Sequence, residues 1–161
     1  MASPSGPTGT RQESLETILA ERDIYRALAS LARAMDARDW NALDKITTED
    51  MTADLGAGAL SGRAAIVAYM RSFLNDCGPT QHLLGNVLID VQVDTASSRA
   101  YVSDMHLGRG DRSGLRFCTL GDYHDRWKKT EDGWRMSHRS KINNGYFGSL
   151  EVLGPGPDGW R

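Results

Sequence analysis

The stretch TQHLLGNVLID, residues 80–90, marks the point where a helical sequence pattern gives way to a strand-like one. From residue 80 to residue 93 the side chains alternate in the way expected of a β-strand. One predicted face carries Leu83, Val87, Ile89, Val91 and Val93, and the other carries His82, Leu84, Asn86 and Leu88. Because both faces contain apolar residues, we expect this strand to be covered on both sides over part of its length.

The order of the remaining segments predicts the fold class. The sequence before this stretch predicts helices at residues 14–38, 40–46 and 62–74 and a short strand at 51–55, and the sequence after it predicts strands at 99–107, 115–129 and 134–142. Helices followed by a run of strands predict an α+β fold, in which a cone-shaped, strongly curved, mixed or antiparallel sheet packs on three N-terminal helices. We expect one domain over residues 14–146, a flexible N-terminal tail at 1–13 and an irregular C-terminal tail at 147–161.

The composition argues against several classes of partner. The chain has 161 residues, 40% of them apolar and 25% charged, which is typical of a globular domain with its own core. The net charge is −2 and no basic stripe is present, so nucleic acid is not an expected partner. No apolar run is long enough to span a membrane, and the first ten residues lack the pattern of a signal peptide. We therefore expect a cytoplasmic protein with two reduced thiols, Cys77 and Cys118.

An acid near the end of the first predicted helix suggests a catalytic pair. Asp36 follows Tyr25 and Ala32 on one helical face, where an acid is costly to bury without a partner. Either the helix frays there and Asp36 is solvated, or Asp36 has a partner inside the fold. His82, near the start of the central strand, is the residue type that accepts a proton near neutral pH. We predict that Asp36 and His82 form an acid–base dyad in a pocket between helix and sheet.

Other polar residues are candidates for assisting roles. Asp104 and His106 share a face of the next strand, and Asn86 is predicted to share the face of His82. Each also has a structural interpretation: His82 as a hydrogen-bonded structural residue, and Asp104 with His106 as a cross-strand pair at the sheet edge. The four histidines show no HExxH spacing, and no GxSxG motif is present, so we predict neither a metal nor a cofactor and no serine nucleophile.

Four motifs together resemble a known family. MDARDWNAL, SGRAAIVAYM, TQHLLGN and YHDRWKKTEDGWRMSHR are similar to motifs of the SnoaL-like branch of the nuclear-transport-factor-2-like superfamily. Within that branch the chain looks most like the group of scytalone dehydratase, lindane dehydrochlorinase and bile-acid dehydratase. The resemblance covers residues 15–144 and implies a cone of six strands and three helices.

The resemblance also implies roles for particular residues. Asp36 and His82 match the helix aspartate and the strand histidine of the dehydratases, and Asp104 is the approximate match of an aspartate on the next strand. His106 matches a second histidine only in the direction that its side chain faces. The tyrosines that the group places near the helix aspartate are not matched, because Met35 and Leu31 occupy those positions.

Two classes of function follow from these observations. The first is a cofactor-independent acid–base enzyme, a dehydratase-like lyase or an isomerase, that acts on a small and largely apolar organic substrate. The second is a non-catalytic small-molecule binder or assembly subunit of the same fold. For either, the resemblance implies a homo-oligomer, a trimer or a dimer.

Overall fold

A long helix and a six-stranded sheet form the body of the molecule. The computed structural model of the protein describes residues 8–56 and 58–158, with side chains from residue 15 onward. The helical elements are α1 (Thr8–Ala37), a 3₁₀ helix (Trp40–Lys45), α2 (Arg63–Leu74) and two 3₁₀ turns (Gly110–Arg112 and Leu150–Val152). The strands are β1 (Thr47–Asp54), β2 (Ala59–Ser61), β3 (Thr80–Val91), β4 (Thr95–Leu107), β5 (Arg116–Thr130) and β6 (Gly133–Gly148).

The sheet is mixed and open, with the strand order β2-β1-β6-β5-β4-β3. Strand β1 runs parallel to β6, and the other neighbours are antiparallel. The predicted α+β fold, with three N-terminal helices on a mixed sheet, is confirmed. Within residues 8–56 and 58–158, no helix combines the length and the apolar character needed to cross a membrane.

Several boundaries differ from those predicted. Helix α1 begins at Thr8, so residues 8–13 are helical, while residues 1–7 of the predicted flexible tail lie outside the described residues. Strand β6 continues to Gly148, and Val152 in the turn after it is fully buried, so the predicted irregular tail is ordered at its start. Residues 159–161 lie outside the described part of the chain. The limits of the domain itself stay a prediction.

The core lies between α1 and the inner face of the sheet. Ile24 and Leu28 of α1 are 0% and 1% exposed and belong to the same apolar cluster as Trp127 and Met136 of the sheet. Burial of such side chains stabilises the fold by roughly 1.5–3 kcal/mol each. This packing holds the C-terminal end of α1 against the start of β3, and it thereby brings Asp36 to His82.

A β-bulge divides β3 into two parts. Gly85 pairs with Tyr101 but Leu88 pairs with Arg99, so β3 has one residue more than β4 at this point. Asn86 lies in the bulge with a left-handed φ of 49°, which asparagine tolerates better than most residues. Because of the extra residue, the even-numbered residues of β3 face inward before the bulge and the odd-numbered residues face inward after it. The prediction of two unbroken faces is therefore wrong, and Leu83 and Leu88 are both exposed on the outer face.

Candidate functional site

A cavity of about 380 Å³ lies between the two α-helices and the inner face of the sheet. Most of its wall is apolar, including Met35, Met70 and Phe73 from the helices and Phe117 from the sheet. The polar residues in the wall include His82, Asp104, His106, Thr119, Arg139, Lys141 and Asn143. A concave apolar site with a few polar groups is typical of small-molecule binding.

Asp36 and His82 are in contact at the edge of this cavity. His82 Nδ1 lies 2.7 Å from Asp36 Oδ1, and the backbone N–H of His82 donates to Asp36 Oδ2 at 3.1 Å. The Thr80 hydroxyl donates to Asp36 Oδ1 at 2.9 Å. The side chain of Asp36 is 24% exposed and that of His82 5% exposed, so the interpretation of Asp36 as a solvated residue at a frayed helix end is wrong.

The ionisation of Asp36 sets the tautomer of His82. Burial opposes the charge on Asp36, but the hydrogen bonds from His82 and Thr80 outweigh it and hold the pKa of Asp36 below its usual value. A carboxylate only accepts hydrogen bonds, so His82 Nδ1 carries the hydrogen of this contact. The other ring nitrogen, Nε2, is left with a free lone pair. This arrangement suits a general base.

Asp104 and Lys141 form a second polar group that the sequence did not reveal as a pair. Asp104 is 1% exposed, and its Oδ2 accepts from Lys141 Nζ at 2.5 Å. Its Oδ1 accepts from the backbone N–H and the hydroxyl of Thr119, at 3.1 and 2.5 Å. Burial opposes ionisation of Asp104, but the charge of Lys141 and these hydrogen bonds lower the pKa of the carboxyl overall. Asp104 is therefore an ionised anchor for the Lys141 ammonium.

His106 is buried beside the dyad as a neutral ring. The rings of His82 and His106 are 5.6 Å apart in an edge-to-face arrangement. Burial lowers the pKa of His106 to about 4, and its Nδ1 lies 3.3 Å from the Phe117 carbonyl oxygen. Strand β4 lies inside the sheet, so the interpretation of Asp104 and His106 as a pair at the sheet edge is wrong.

Asn86 is not part of this site. It is exposed in the β3 bulge and lies in a shallow surface depression with Tyr25 and Leu84. The prediction that it shares the face of His82 is wrong, because that prediction assumed an unbroken strand. Asn143 of β6 lines the cavity instead.

Tyrosines line the cavity from positions that the family pattern does not indicate. Tyr69 comes from α2 and Tyr146 from β6. Burial raises the pKa of Tyr69, and burial also raises the pKa of the fully enclosed Tyr123. The Tyr123 ring packs against the Arg139 guanidinium, whose carbon lies 3.8 Å from the ring centre. Tyr123 of β5 also lines the cavity, so three tyrosines contribute to its wall.

One cluster of side chains has donor atoms of the kind that bind metals. His82, Asp104 and His106 each offer a ligand atom within 4.8 Å of the others, and two histidines with one carboxylate can hold a transition metal. However, Asp104 already binds the Lys141 ammonium at 2.5 Å, and this positive charge opposes a second cation on the same carboxylate. The Lys141 charge therefore disfavours a metal ion in this cluster.

The sequence has recognised relatives. Residues 16–140 match the family model described as a SnoaL-like domain. A Mycobacterium tuberculosis protein that is named as uncharacterised is 34% identical over 128 residues, which cover 78% of this chain and 86% of that protein.

The fold has solved counterparts. A hexachlorocyclohexane dehydrochlorinase of type 2 superposes with a TM-score of 0.71 at 16% identity, covering 92% of this chain and 99% of that one. A candidate scytalone dehydratase from Novosphingobium aromaticivorans gives a TM-score of 0.71 at 20% identity, covering 81% of this chain and 88% of that one. At these identities the superpositions show a shared fold. The resemblance of the sequence motifs to the SnoaL-like family is confirmed by the match to the family model.

Proposed function

Because the chain belongs to the SnoaL-like domain family, we propose that it is a cofactor-independent acid–base enzyme, a dehydratase-like lyase or an isomerase. The observation that carries this proposal is the 2.7 Å contact between His82 Nδ1 and Asp36 Oδ1 at the wall of an apolar cavity. The names of two structural neighbours, a dehydrochlorinase and a candidate dehydratase, support a reaction that begins with removal of a proton from carbon. Acid–base help of this kind is worth about 10²–10⁴-fold in rate.

In this mechanism His82 is the base. Its Nε2 lone pair takes a carbon-bound proton, and the Asp36 carboxylate stabilises the imidazolium that forms. Lys141 has three N–H groups, of which Asp104 and Thr119 bind two. The third can donate to a substrate oxygen on which negative charge develops, and this is the electrostatic help expected at such a site.

The charges around the cavity favour an uncharged substrate. Lys141 is paired with Asp104, and Arg139 binds Asp125 through two hydrogen bonds of 2.8 Å. Both cations in the wall are therefore already neutralised by buried carboxylates. A substrate with its own carboxylate would find no free positive charge here. A small, largely apolar molecule with a single carbonyl oxygen fits this wall.

Proton abstraction can be tested before the natural substrate is known. We would incubate the protein in D₂O with uncharged cyclic ketones such as 1-tetralone and follow deuterium uptake at the carbon next to the carbonyl by NMR. The wild type should accelerate the exchange and His82→Ala should not. His124→Ala is the matched control, because His124 forms a similar pair with Asp122 at 3.0 Å but lies on the outer face of the sheet. Equal exchange in wild type and His82→Ala, or no exchange with any ketone, would count against the proposal.

The outer face of the sheet supports the alternative role in assembly, which is also compatible with catalysis. It exposes large apolar side chains on neighbouring strands: Leu83, Tyr101, Met105, Leu120, Ile142 and Phe147. Among them, Asp122 Oδ1 is buried without a hydrogen-bond partner among the described residues. A continuous exposed apolar patch on a sheet marks an interaction surface. We propose that a second copy of the chain covers it, in a dimer or a trimer.

Light scattering tests this assembly. The wild type should have the mass of an oligomer at micromolar concentration, and Leu120→Lys should shift it to the monomer, because a charge would be buried in the interface. A monomeric wild type would contradict the proposal. If the protein is a binder and not an enzyme, His82→Ala will change ligand affinity while no variant, nor the wild type, turns over any ketone.

A further inference from the structure

Arg38 has an unusual backbone conformation directly after α1. Its φ of 60° is left-handed, a conformation that normally favours glycine at the end of a helix. A non-glycine residue held in such a conformation persists only where the surrounding structure requires it, and such residues cluster at functional sites. In this conformation the side chain of Arg38 forms several hydrogen bonds near the dyad.

The Arg38 guanidinium binds five oxygen atoms from three parts of the chain. At the end of α1 it donates to the carbonyls of Met35 and Asp36, at 2.6 and 3.1 Å. At the last residue of α2 it donates to the carbonyl of Leu74, at 2.9 Å, and after the helix to the carbonyl of Gly78, at 3.3 Å. At the start of β3 it donates to the Thr80 hydroxyl at 2.8 Å. Arg38 therefore fixes the junction at which Asp36 and His82 meet.

The contact with Thr80 sets the direction of a hydrogen-bond chain. A guanidinium can only donate, so it occupies a lone pair of the Thr80 oxygen. The single hydroxyl hydrogen is then free for Asp36 Oδ1, which lies 2.9 Å away. Asp36 Oδ1 also accepts from His82 Nδ1. The chain runs from Arg38 through Thr80 to Asp36, and linked hydrogen bonds of this kind strengthen one another.

We propose that Arg38 is a positioning residue, which acts through the Thr80 hydroxyl to hold the Asp36 carboxylate in the orientation that presents His82 as a base. The catalytic consequence rests on the proposed function, whereas the orientation of Asp36 does not. Arg38 itself is not among the residues that line the cavity. It contributes a positive charge near Asp36, and through the hydrogen bonds of Thr80 it fixes the orientation of the Asp36 carboxylate.

The test uses Thr80→Val, which removes the hydroxyl at nearly constant volume, and Thr80→Ser, which keeps it. Loss of a hydrogen-bond donor destabilises the carboxylate, so Thr80→Val should raise the pKa of Asp36, measured by ¹³C NMR of its carboxyl carbon. Thr80→Ser should leave it at the wild-type value. Arg38→Gln should also raise the pKa of Asp36, because a positive charge is lost, while Arg38→Lys should preserve part of the effect. Arg22→Gln, a change at an exposed arginine, is the control.

The other ionisable groups around the dyad keep their identity in these variants. A shift in the pKa of Asp36 can therefore be assigned to the hydrogen-bond chain from Arg38 through Thr80. These groups are Cys77 after α2, Asp104 and His106 of β4, Tyr123 of β5 and Lys141 of β6.

The rate measurement uses any ketone that the wild type turns over. Thr80→Val and Arg38→Gln should lower kcat about tenfold with KM nearly unchanged, because orientation of a base matters as the proton moves. Thr80→Ser should restore kcat. If Arg38 had only a structural role, Arg38→Gln would reduce stability. In that case Thr80→Val would leave the pKa of Asp36 unchanged, and Thr80→Ser would not differ from Thr80→Val in kcat. If the pKa of Asp36 is the same in Thr80→Val as in Thr80→Ser, the proposal is overturned. If no variant or wild type turns over a ketone, the proposed function fails while the titration still decides the role of Arg38.

Discussion

Replacement of Asp36 by asparagine reverses the polarity of the contact with His82. The backbone N–H of His82, 3.1 Å from Asp36 Oδ2, can only donate, so the amide oxygen of the new asparagine must take that position. The amide NH₂ then faces Thr80 and His82 Nδ1. His82 Nδ1 must become the acceptor, and its hydrogen moves to Nε2. The nitrogen that served as the base no longer has a free lone pair.

The magnitude follows from the charge that is lost. Two opposite charges about 4 Å apart interact by about 4 kcal/mol at an effective dielectric constant of about 20. This energy stabilises the imidazolium as the proton moves, so its loss corresponds to a fall of about a thousandfold in kcat. Ligand affinity should change little, because a neutral substrate does not use this charge before the reaction. The free energy of unfolding should fall by about 1.5–3 kcal/mol, the usual contribution of a hydrogen bond to a charged group.

The assay compares kcat, KM and the tautomer of His82. Rates are measured on a ketone that the wild type turns over, and ¹⁵N NMR of the imidazole reports which ring nitrogen carries the hydrogen. Asp122→Asn is the matched control, because Asp122 pairs with a histidine at 3.0 Å on the outer face of the sheet. This variant should leave kcat unchanged. An Asp36→Asn rate within tenfold of the wild type, or a hydrogen that stays on Nδ1, would refute the reasoning.

Three further predictions concern the same cavity. In measurements of kcat, His82→Ala should abolish turnover, and His82→Gln should also be inactive because an amide is not a base. The double variant of His82→Ala and Asp36→Asn should lose no more activity than the more damaging single variant, because the two residues act as one unit. A wild-type rate in His82→Ala would contradict the assignment of His82 as the base. Because burial lowers the pKa of His106 to about 4 from 6.5, the unfolded chain binds a proton that the folded protein does not, so the free energy of unfolding should fall by on the order of 3 kcal/mol as the pH falls from 6.5 to 4. His106→Gln should flatten that fall in urea titrations at pH 7 and pH 4.5, and an unchanged slope would contradict this origin. Lys141→Met should cost about 3–5 kcal/mol in urea unfolding because it leaves the Asp104 charge buried alone, and adding Asp104→Asn should recover most of it; equal stability of all three proteins would show that the pair is not desolvated.

The contact between Asp36 and His82 could be predicted because both residues lie where local patterns are dependable. Asp36 lies on a helix whose period is set by its own backbone hydrogen bonds, and its cost as a partly buried acid was visible in the sequence. His82 lies before the bulge of β3, so counting in twos from the start of the strand places it correctly. The α+β class followed in the same way, from helical periods in the first half of the chain and alternation in the second.

The positions that could not be predicted lie after register breaks. In β3, the isolated Gly85 and the following Asn86 were a signal for a bulge, which would have removed Asn86 from the list of candidates. In β6, Trp127 pairs with Met136 but Arg126 pairs with His138, so Ser137 is an extra residue. Counting in twos from the buried Met136 therefore places Lys141 on the outer face, where a lysine would attract no notice.

These register breaks are what assemble the polar end of the cavity. The extra residue Ser137 turns Arg139 and Lys141 inward, and a second unpaired residue, Asn144, follows before Gly145 pairs with Leu120. A bulge re-aims the side chains that follow it, and its position is set by pairing with another strand, which alternation within one strand does not encode. If Ser137 were removed, Lys141 would turn to the outer face and Asp104 would lose its cation, while the hydrogen bonds of Asp36 and His82 on the other side of the cavity would remain. The dyad therefore depends on the helix–strand junction that Arg38 fixes, and the Lys141–Asp104 pair depends on the register of β6, so the two halves of the site can be disturbed separately.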